Sequence, residues 1–271
     1  MKWREIHSPA LRGATNMAFD QALLEGVQAG GPPVLRLYRW APACLSLGRN
    51  QSVDDREWLL ERLASRGYDL VRRPTGGAAV LHEHEVTYAL SVPLGLLGSP
   101  RETYQAINEG LVIGLRRLGV PAMTIPPRQR GAGPRRVEVP RWNDPCFQSP
   151  APGEIIVNGL KLVGSAQRRE GRTLLQHGSI LLRGGQEFVA ECLDREGTNG
   201  LRSTARMPAG FTTLEEVLGT VPSWDELTTA IGIGLCERFG VAFYDSEPET
   251  SEVERIEELT ALYESESWTW R

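Results

Sequence analysis

The chain has 271 residues, of which 41% are hydrophobic and 24% charged, and its formal net charge is −4 at pH 7. These values are ordinary for a soluble globular protein and give no reason to expect a nucleic-acid-binding one. The sequence has no run of about 18 apolar residues that would span a membrane, no signal-peptide core near its start and no Cys-x-x-Cys pair among its four cysteines. We therefore expect a protein of the reducing cytoplasm without a metal site or disulfide framework.

The first part of the chain alternates between helix and strand patterns. Residues 15–29 predict a helix, because Phe19, Leu23 and Val27 form one apolar stripe and glycines follow it. A second helix is predicted over residues 55–66, ending at a glycine. Strands are predicted at residues 34–38, 44–47, 68–73 and 85–92, the last with strict apolar alternation.

The second part carries two helix-capping signals and a hairpin signal. Ser99 and Ser223 each precede a glutamate by three residues and predict the starts of helices that end near residues 118 and 239. A last strand and an acidic helix follow. Residues 126–145 are rich in Pro, Gly and Arg and have no periodicity, which is typical of a functional or disordered loop. This mixture of strands and helices predicts an α/β fold, with mixed sheets and flanking helices.

Asn158-Gly159 between two apolar runs predicts a two-residue hairpin turn. The expected core face of this hairpin consists of Ile155, Val157, Leu160 and Leu162. Lys161, paired with Ile156, would then point to the opposite face. A lysine at such a place is usually a solvated strand residue, but the small residues Gly164, Ser165 and Ala166 follow it and leave room for a ligand beside the sheet.

Residues 72–82 form a candidate binding segment. Arg72 and Arg73 leave a strand and are followed by Thr75, Gly76 and Gly77. Glycines let the backbone approach a ligand closely, and arginines bind carbonyl and phosphate oxygens. A tight turn between strands with solvated arginines explains the same pattern, so both interpretations stay open. His177, in a later strand, either orients a substrate or is a strand histidine with satisfied hydrogen bonds.

Cys146 is the candidate nucleophile among the four cysteines. It lies at the end of the aperiodic stretch, whereas Cys44 falls in a predicted strand and Cys192 and Cys236 in predicted helices. A thiol is a good nucleophile when a nearby cation lowers its pKa. The alternative is a buried, inert cysteine, which is the usual fate of a free thiol.

Taken together, these motifs resemble the lipoate-protein ligase and octanoyltransferase family, whose catalytic domain is shared with biotin ligases. The resemblance covers about the first 185 residues and extends more weakly to Gly240. Its motifs occur in order at residues 16–18, 46–48, 72–82, 87–88, 161–167 and 176–180. It implies a single biotin/lipoate ligase-type catalytic domain over residues 1–271, with a core at about 30–240 and a C-terminal helical extension.

Within that family, the chain is most similar to the cysteine octanoyltransferases, which carry a Cys-Phe segment shortly before the lysine strand. Cys146-Phe147 stands 15 residues before Lys161. The resemblance implies that Cys146 carries the acyl thioester and that Lys161 lowers the pKa of its thiol. The residues implied to bind the substrate are Arg72, Arg73, Thr75, Gly76, Gly77, Ala78, His82, Gly164, Ser165, Ala166 and His177. Ala78 and Glu83 depart from the usual glycine and aspartate of this motif.

The implied reaction is octanoyl transfer from octanoyl-acyl carrier protein to a lysine of the glycine cleavage H protein or another lipoyl domain. It needs no metal, nucleotide or other cofactor. The Arg-rich stretch, with Arg128, Arg130, Arg135, Arg136 and Arg141, would either dock these acidic partners or be a solvated loop. Three alternatives remain: an ATP-dependent lipoate ligase, an amidotransferase acting from H protein to a dehydrogenase subunit, and a non-catalytic binder of lipoyl domains.

Overall fold

Strands from distant parts of the chain form a large and a small β-sheet in the computed structural model, which describes residues 2–53, 55–126, 152–193 and 210–271. The strands are β1 (Lys2–His7), β2 (Val34–Tyr38), β3 (Cys44–Leu47), β4 (Asp69–Arg72), β5 (Val80–His82), β6 (Glu85–Pro93), β7 (Met123–Thr124), β8 (Ile155–Val157), β9 (Leu160–Glu170), β10 (Thr173–Leu181) and β11 (Ala242–Asp245). The helices are α1 (Gly13–Gln28), α2 (Arg56–Ala64), α3 (Pro100–Arg117), α4 (Glu187–Leu193), α5 (Leu214–Leu218), α6 (Trp224–Phe239), α7 (Thr250–Glu264) and α8 (Glu266–Thr269).

The large sheet has eight strands in the order β11-β1-β2-β6-β10-β9-β8-β7. β1 pairs in parallel with β11 and β2, and the other neighbours are antiparallel. One face packs on α3 and α6 around the largest apolar cluster, and the other packs on α1 and α7. Both faces are therefore buried, and polar side chains on the central strands must find partners inside the protein.

The small sheet has the order β4-β3-β5 and packs on α2 and α4. β3 is parallel to β4 and antiparallel to β5. The chain passes from β5 directly into β6 of the large sheet, since only two residues separate His82 from Glu85. This short connection holds the two sheets close together at the end of β5.

The predicted mixed α/β class and most predicted elements are confirmed. Ser99 and Ser223 form the expected capping boxes at the starts of α3 and α6, and the alternating apolar residues of β6 lie in the largest core cluster. Among the described residues, no helix is both long enough and apolar enough to cross a bilayer.

The predicted hairpin register is wrong at one position. Val157 pairs with Leu160 and Ile156 with Lys161 as expected, but a bulge makes Ile155 pair with Val163. Leu162 and Val163 are consequently both in the core, whereas Leu160, which was expected there, is 38% exposed. An extra residue in one strand shifts which side chains face the core, and apolar patterning does not reveal such a bulge.

We predict opposite effects of two glycine-to-alanine changes within α6. A Cβ atom at Gly234 would lie 2.3 Å from the carbonyl oxygen of Gly110 in α3, so Gly234→Ala forces the two helices apart. A Cβ atom at Gly232 meets nothing closer than 3.4 Å. Overpacking costs about 1–3 kcal/mol, whereas replacing an uncrowded helical glycine by alanine typically gains about 0.5–1 kcal/mol.

Urea unfolding of the two variants measures these changes in the free energy of unfolding. Gly234→Ala should shift the midpoint to lower urea and Gly232→Ala to higher urea than the parent protein. Equal shifts for both variants would contradict the close helix contact.

Candidate active site

A cavity of about 140 Å³ is lined by residues of both sheets and of α1. The large sheet and α1 contribute Met17, Tyr38, Trp40, Thr87, Gly164, Ser165, Ala166, His177, Gly178 and Ser179, counting Trp40, which follows β2. The small sheet and the loop between β4 and β5 contribute Ser46, Arg73, Gly76, Gly77, Val80 and His82. Glu154, which precedes β8, completes the lining. Its walls combine aromatic and aliphatic side chains with a few polar groups, which is the usual composition of a small-molecule site.

The glycine-containing loop at the cavity is held by Arg73. Its Nη2 donates hydrogen bonds to the carbonyl oxygens of Gly76 and Ala78, each at 2.8 Å, and its Nη1 donates to the carbonyl oxygen and the hydroxyl of Ser46, both at 3.1 Å. The loop also requires glycine at position 48, because a Cβ atom there would lie 1.8 Å from the Gly77 carbonyl oxygen. This close approach fixes the shape of the wall.

Arg72 points away from the cavity lining. Its Nη1 donates to the carbonyl oxygens of Gly48 and Gln51, at 2.6 and 2.7 Å, and its Nε donates to that of Thr269 at 2.7 Å. Trp268 Nε1 in turn donates to the Arg72 carbonyl oxygen. The guanidinium therefore ties the C-terminal α8 to the loop after β3, and contact of Arg72 with a substrate remains a prediction.

His82 is the centre of a directional chain of hydrogen bonds. Its Nδ1 lies 2.7 Å from Glu85 Oε1 and its Nε2 lies 2.7 Å from Ser46 Oγ. In the neutral imidazole that these partners favour, Nδ1 donates to the carboxylate oxygen and Nε2 accepts from the serine hydroxyl. The ring also stacks on Trp40, with centroids 3.9 Å apart, which fixes its orientation.

Glu85 is buried and is the last residue in this series of hydrogen bonds. Thr87 Oγ1 donates to Glu85 Oε1 at 2.5 Å and itself accepts from Trp40 Nε1 at 2.7 Å. The second carboxylate oxygen, Oε2, is buried without a hydrogen-bond partner in the described part of the chain. Glu85 thus presents one oxygen to both His82 and Thr87.

His177 occupies a second, similar arrangement. Its Nδ1 lies 3.0 Å from Asp20 Oδ2, and its Nε2 lies 2.7 Å from Thr75 Oγ1. Asp20 is fully buried and also accepts from Arg36 and Tyr38, each at 2.8 Å. Burial alone would raise the pKa of Asp20, but the hydrogen bond from His177 and the charge of Arg36 outweigh it and lower that pKa.

Lys161 is the second residue of β9 and is only 1% exposed, so it is not a solvated strand residue. Its Nζ lies 2.6 Å from Oε1 of Glu154, a residue that lines the cavity. The backbone of Lys161 is fixed on the side opposite β8 by hydrogen bonds with Gly210 and Thr212. The ammonium group is therefore placed next to the cavity wall, although the lysine itself is not part of the lining.

A polar network behind β9 fixes the segment that carries Glu154. Asn108 Nδ2 donates to the Gly153 carbonyl oxygen at 2.7 Å, and Gln176 Nε2 donates to Asn108 Oδ1 and to the Tyr88 hydroxyl. Burial raises the pKa of Tyr88 to about 12, so that hydroxyl keeps its proton and bonds to Ser165 at 2.7 Å. This network joins α3, β6, β9 and β10 beneath the cavity.

The structure brings together most of the residues that sequence analysis placed in the site. Those that line the cavity are Arg73, Gly76, Gly77, His82, Gly164, Ser165, Ala166 and His177. Thr75 reaches it through His177, and Ala78 contributes a carbonyl oxygen to Arg73. Cys146 and the Arg-rich stretch from residue 127 onward lie outside the described residues.

Several side chains that complete the site were not predicted as site residues. Asp20 lies in a helix that was recognised by its apolar stripe, and Ser46 lies in a family motif to which no role was assigned; the histidine partners of both are far away in the chain. Glu85 could have been predicted as a site residue, since it follows His82 by three residues and precedes Thr87 by two. Glu154 lies two residues before Ile156, which pairs with Lys161 across the hairpin. The predicted hairpin therefore already indicated that Glu154 lies near the lysine.

The three cysteines within the described residues are poor candidates for a nucleophile. Burial raises the pKa of Cys44 well above its ordinary value and that of Cys192 to about 12. Cys236, in α6, does not line the cavity. Across the described ranges, no group of three His, Cys, Asp or Glu side chains converges in a way that would hold a metal ion.

Proteins named octanoyltransferase LipM are similar to this chain over almost its whole length. One from Kyrpidia tusciae is 40% identical over 275 residues, covering 99% of this chain and 98% of that protein. Another, from Clostridioides difficile, is 34% identical over 276 residues, covering 98% of each. One from Symbiobacterium thermophilum is 36% identical over 273 residues, covering 99% and 98%.

Solved structures of ligases share the fold. A lipoate-protein ligase A bound with ATP superposes with a TM-score of 0.77 at 22% identity, covering all of this chain and 99% of that one. A putative lipoate protein ligase from T. acidophilum with bound lipoic acid gives a TM-score of 0.74 at 21% identity, with complete coverage of both chains. The predicted ligase-type catalytic fold is thereby confirmed. A model of the lipoyl protein ligase A/B catalytic domain matches residues 12–234, and the chain therefore belongs to that family.

Proposed function

We propose that this protein is a cytoplasmic octanoyltransferase of lipoate biosynthesis that forms an acyl thioester on Cys146. The octanoyl group would come from octanoyl-acyl carrier protein and pass to a lysine of the H protein or another lipoyl domain. The observation that carries the proposal is the buried Lys161 ammonium beside the cavity, 15 residues after Cys146, in a chain similar along its length to octanoyltransferases. The whole chain would act as one catalytic domain.

The cavity suits the acyl chain of such a substrate. Met17, Trp40 and Val80 give it apolar walls, and Gly164 and Gly178 leave space between neighbouring strands. An octanoyl chain has no polar atoms beyond its carbonyl group, so it needs apolar surface along its length and donors only at one end. The loop at Gly76 and Gly77, which Arg73 holds in place, lies in the cavity wall and would present its backbone to that end.

Lys161 has the properties needed to activate a thiol. The chain has only one other lysine, Lys2, which is exposed. Glu154 pairs with the buried Nζ at 2.6 Å, and backbone hydrogen bonds to Gly210 and Thr212 fix the position of the lysine. A cation near a thiol favours the thiolate, which is the reactive form in acyl transfer.

The first prediction concerns Cys146. Cys146→Ala should lower octanoyl transfer by about 10³-fold or more, because the nucleophile that carries the acyl group is lost. Transfer from octanoyl-acyl carrier protein to apo H protein is measured by mass spectrometry of the acceptor. Cys236→Ala is the matched control and should retain the parent rate. Near-parent activity of Cys146→Ala would contradict the assignment of Cys146 as the nucleophile.

The second prediction concerns Lys161. In a Cys236→Ala background, Lys161→Ala should move the pH midpoint of iodoacetamide labelling of Cys146 upward by about one unit, because the thiolate loses a nearby cation. Lys2→Ala is the control and should leave the midpoint unchanged.

The Lys161→Ala change also leaves the carboxylate of Glu154 buried without that partner, and this carboxylate would itself raise the thiol pKa. The double variant with Lys161→Met and Glu154→Gln removes both charges and separates the two effects. The double variant should still show an upward shift. If its midpoint equals that of the parent, Lys161 has no role in activating Cys146.

The third prediction separates a transferase from a ligase. A ligase must activate a free acid with a nucleotide, whereas a thioester donor is already activated, so we expect transfer from octanoyl-acyl carrier protein in nucleotide-free buffer. Free octanoate or lipoate with ATP and Mg²⁺ should give no modified acceptor. ATP-dependent modification by the Cys146→Ala protein would favour the ligase, which shares this fold.

A further inference from the structure

Ser46, His82 and Glu85 form a proton-transfer arrangement inside the cavity. Ser46 and His82 both line it, and the hydroxyl, imidazole and carboxylate are joined by two hydrogen bonds of 2.7 Å. Arg73 Nη1 donates to Ser46 Oγ, so the serine proton is directed to His82 Nε2. The serine oxygen is thus able to take a proton from a substrate while it passes its own to the imidazole.

The second histidine has a carboxylate partner with different surroundings. The Asp20 carboxylate beside His177 is shared with Arg36 and Tyr38, so its charge is already compensated. Glu85 has no arginine or lysine partner among the described residues, and its Oε2 has no hydrogen-bond partner there. The geometry therefore singles out His82, which is also the histidine bonded to the Ser46 hydroxyl in the cavity.

The proposed reaction requires such a base. A lysine amine has an ordinary pKa of about 10.4, so an acceptor lysine arrives mostly as an ammonium ion that cannot attack a carbonyl carbon. Lys161 Nζ lies against Glu154 at 2.6 Å and is not part of the cavity lining, whereas Ser46 and His82 are. The serine and the histidine are therefore better placed than Lys161 to take this proton.

We infer that Ser46, His82 and Glu85 take the proton from the acceptor lysine, an inference that rests on the proposed thioester on Cys146. One ammonium proton moves to Ser46 Oγ as the serine proton moves to His82 Nε2. The neutral amine then attacks the thioester carbonyl, the C–N bond forms and the C–S bond breaks. The second proton leaves nitrogen for the departing Cys146 sulfur, and solvent later takes the proton from His82.

The test compares two acyl acceptors on the isolated octanoyl-enzyme. Hydroxylamine is mostly neutral at pH 7 and needs no deprotonation before attack, whereas the lysine of apo H protein does. Ser46→Ala should lower the rate of transfer to H protein at least about 10-fold, and Glu85→Gln about 10²-fold, as loss of general-base catalysis typically does. Both should leave the rate of reaction with hydroxylamine within about twofold of the parent.

Ser91→Ala makes the same change at a buried serine of β6 outside the cavity and should affect neither acceptor. An unchanged rate with H protein in both relay variants overturns the inference, and so does an equal fall with both acceptors, which indicates a disturbed site. Failure of the parent enzyme to form an octanoyl adduct contradicts the proposed function instead, so the two failures are distinguishable.

Discussion

The buried ion pair between Lys161 and Glu154 is the interaction on which the proposed chemistry depends. Moving a single ammonium group out of water costs several kcal/mol, and a carboxylate at 2.6 Å offsets that cost. The pair is held by backbone hydrogen bonds of Lys161 with Gly210 and Thr212 and by Asn108, which fixes the residue before Glu154. A charge fixed in this way, with little water around it, acts strongly on a neighbouring thiol.

The same constraint explains the other polar groups of the cavity. Each histidine has a carboxylate on one ring nitrogen and a hydroxyl on the other, and these partners come from different elements: Asp20 from α1, Ser46 from β3 and Glu85 from β6. Burial of these groups is tolerable only because nearly all of their hydrogen bonds are made. The framework of two sheets thus supplies both the apolar space that the proposed acyl chain would occupy and the fixed orientation of the groups around it.

Local patterns predicted the elements well but not their long-range partners. The capping boxes at Ser99 and Ser223 and the alternation in β6 depend on neighbouring residues only, and they are confirmed. β1 escaped detection because its parallel partners β2 and β11 lie about 30 and 240 residues away in the chain, beyond any local pattern.

The site shows the same division. His82 and His177 were recognised because they accompany short motifs, whereas Ser46 and Asp20 matter only through partners that folding brings to them. The burial of Lys161 was also unpredictable, since the segment at Phe211 that pairs with it lies far along the chain. The order of the short motifs along the chain predicted the family and the fold class. The proposed proton-transfer groups could be found only from atomic contacts.

The central claim is that an acyl group rests on Cys146 between donor and acceptor. The most direct measurement is mass spectrometry of the acid-quenched parent enzyme after brief incubation with octanoyl-acyl carrier protein in the absence of any acceptor, followed by peptide mapping. The account predicts a single octanoyl adduct, labile to hydroxylamine, on the peptide that contains Cys146. No adduct, or an adduct on a peptide containing Cys44, Cys192 or Cys236, would contradict it.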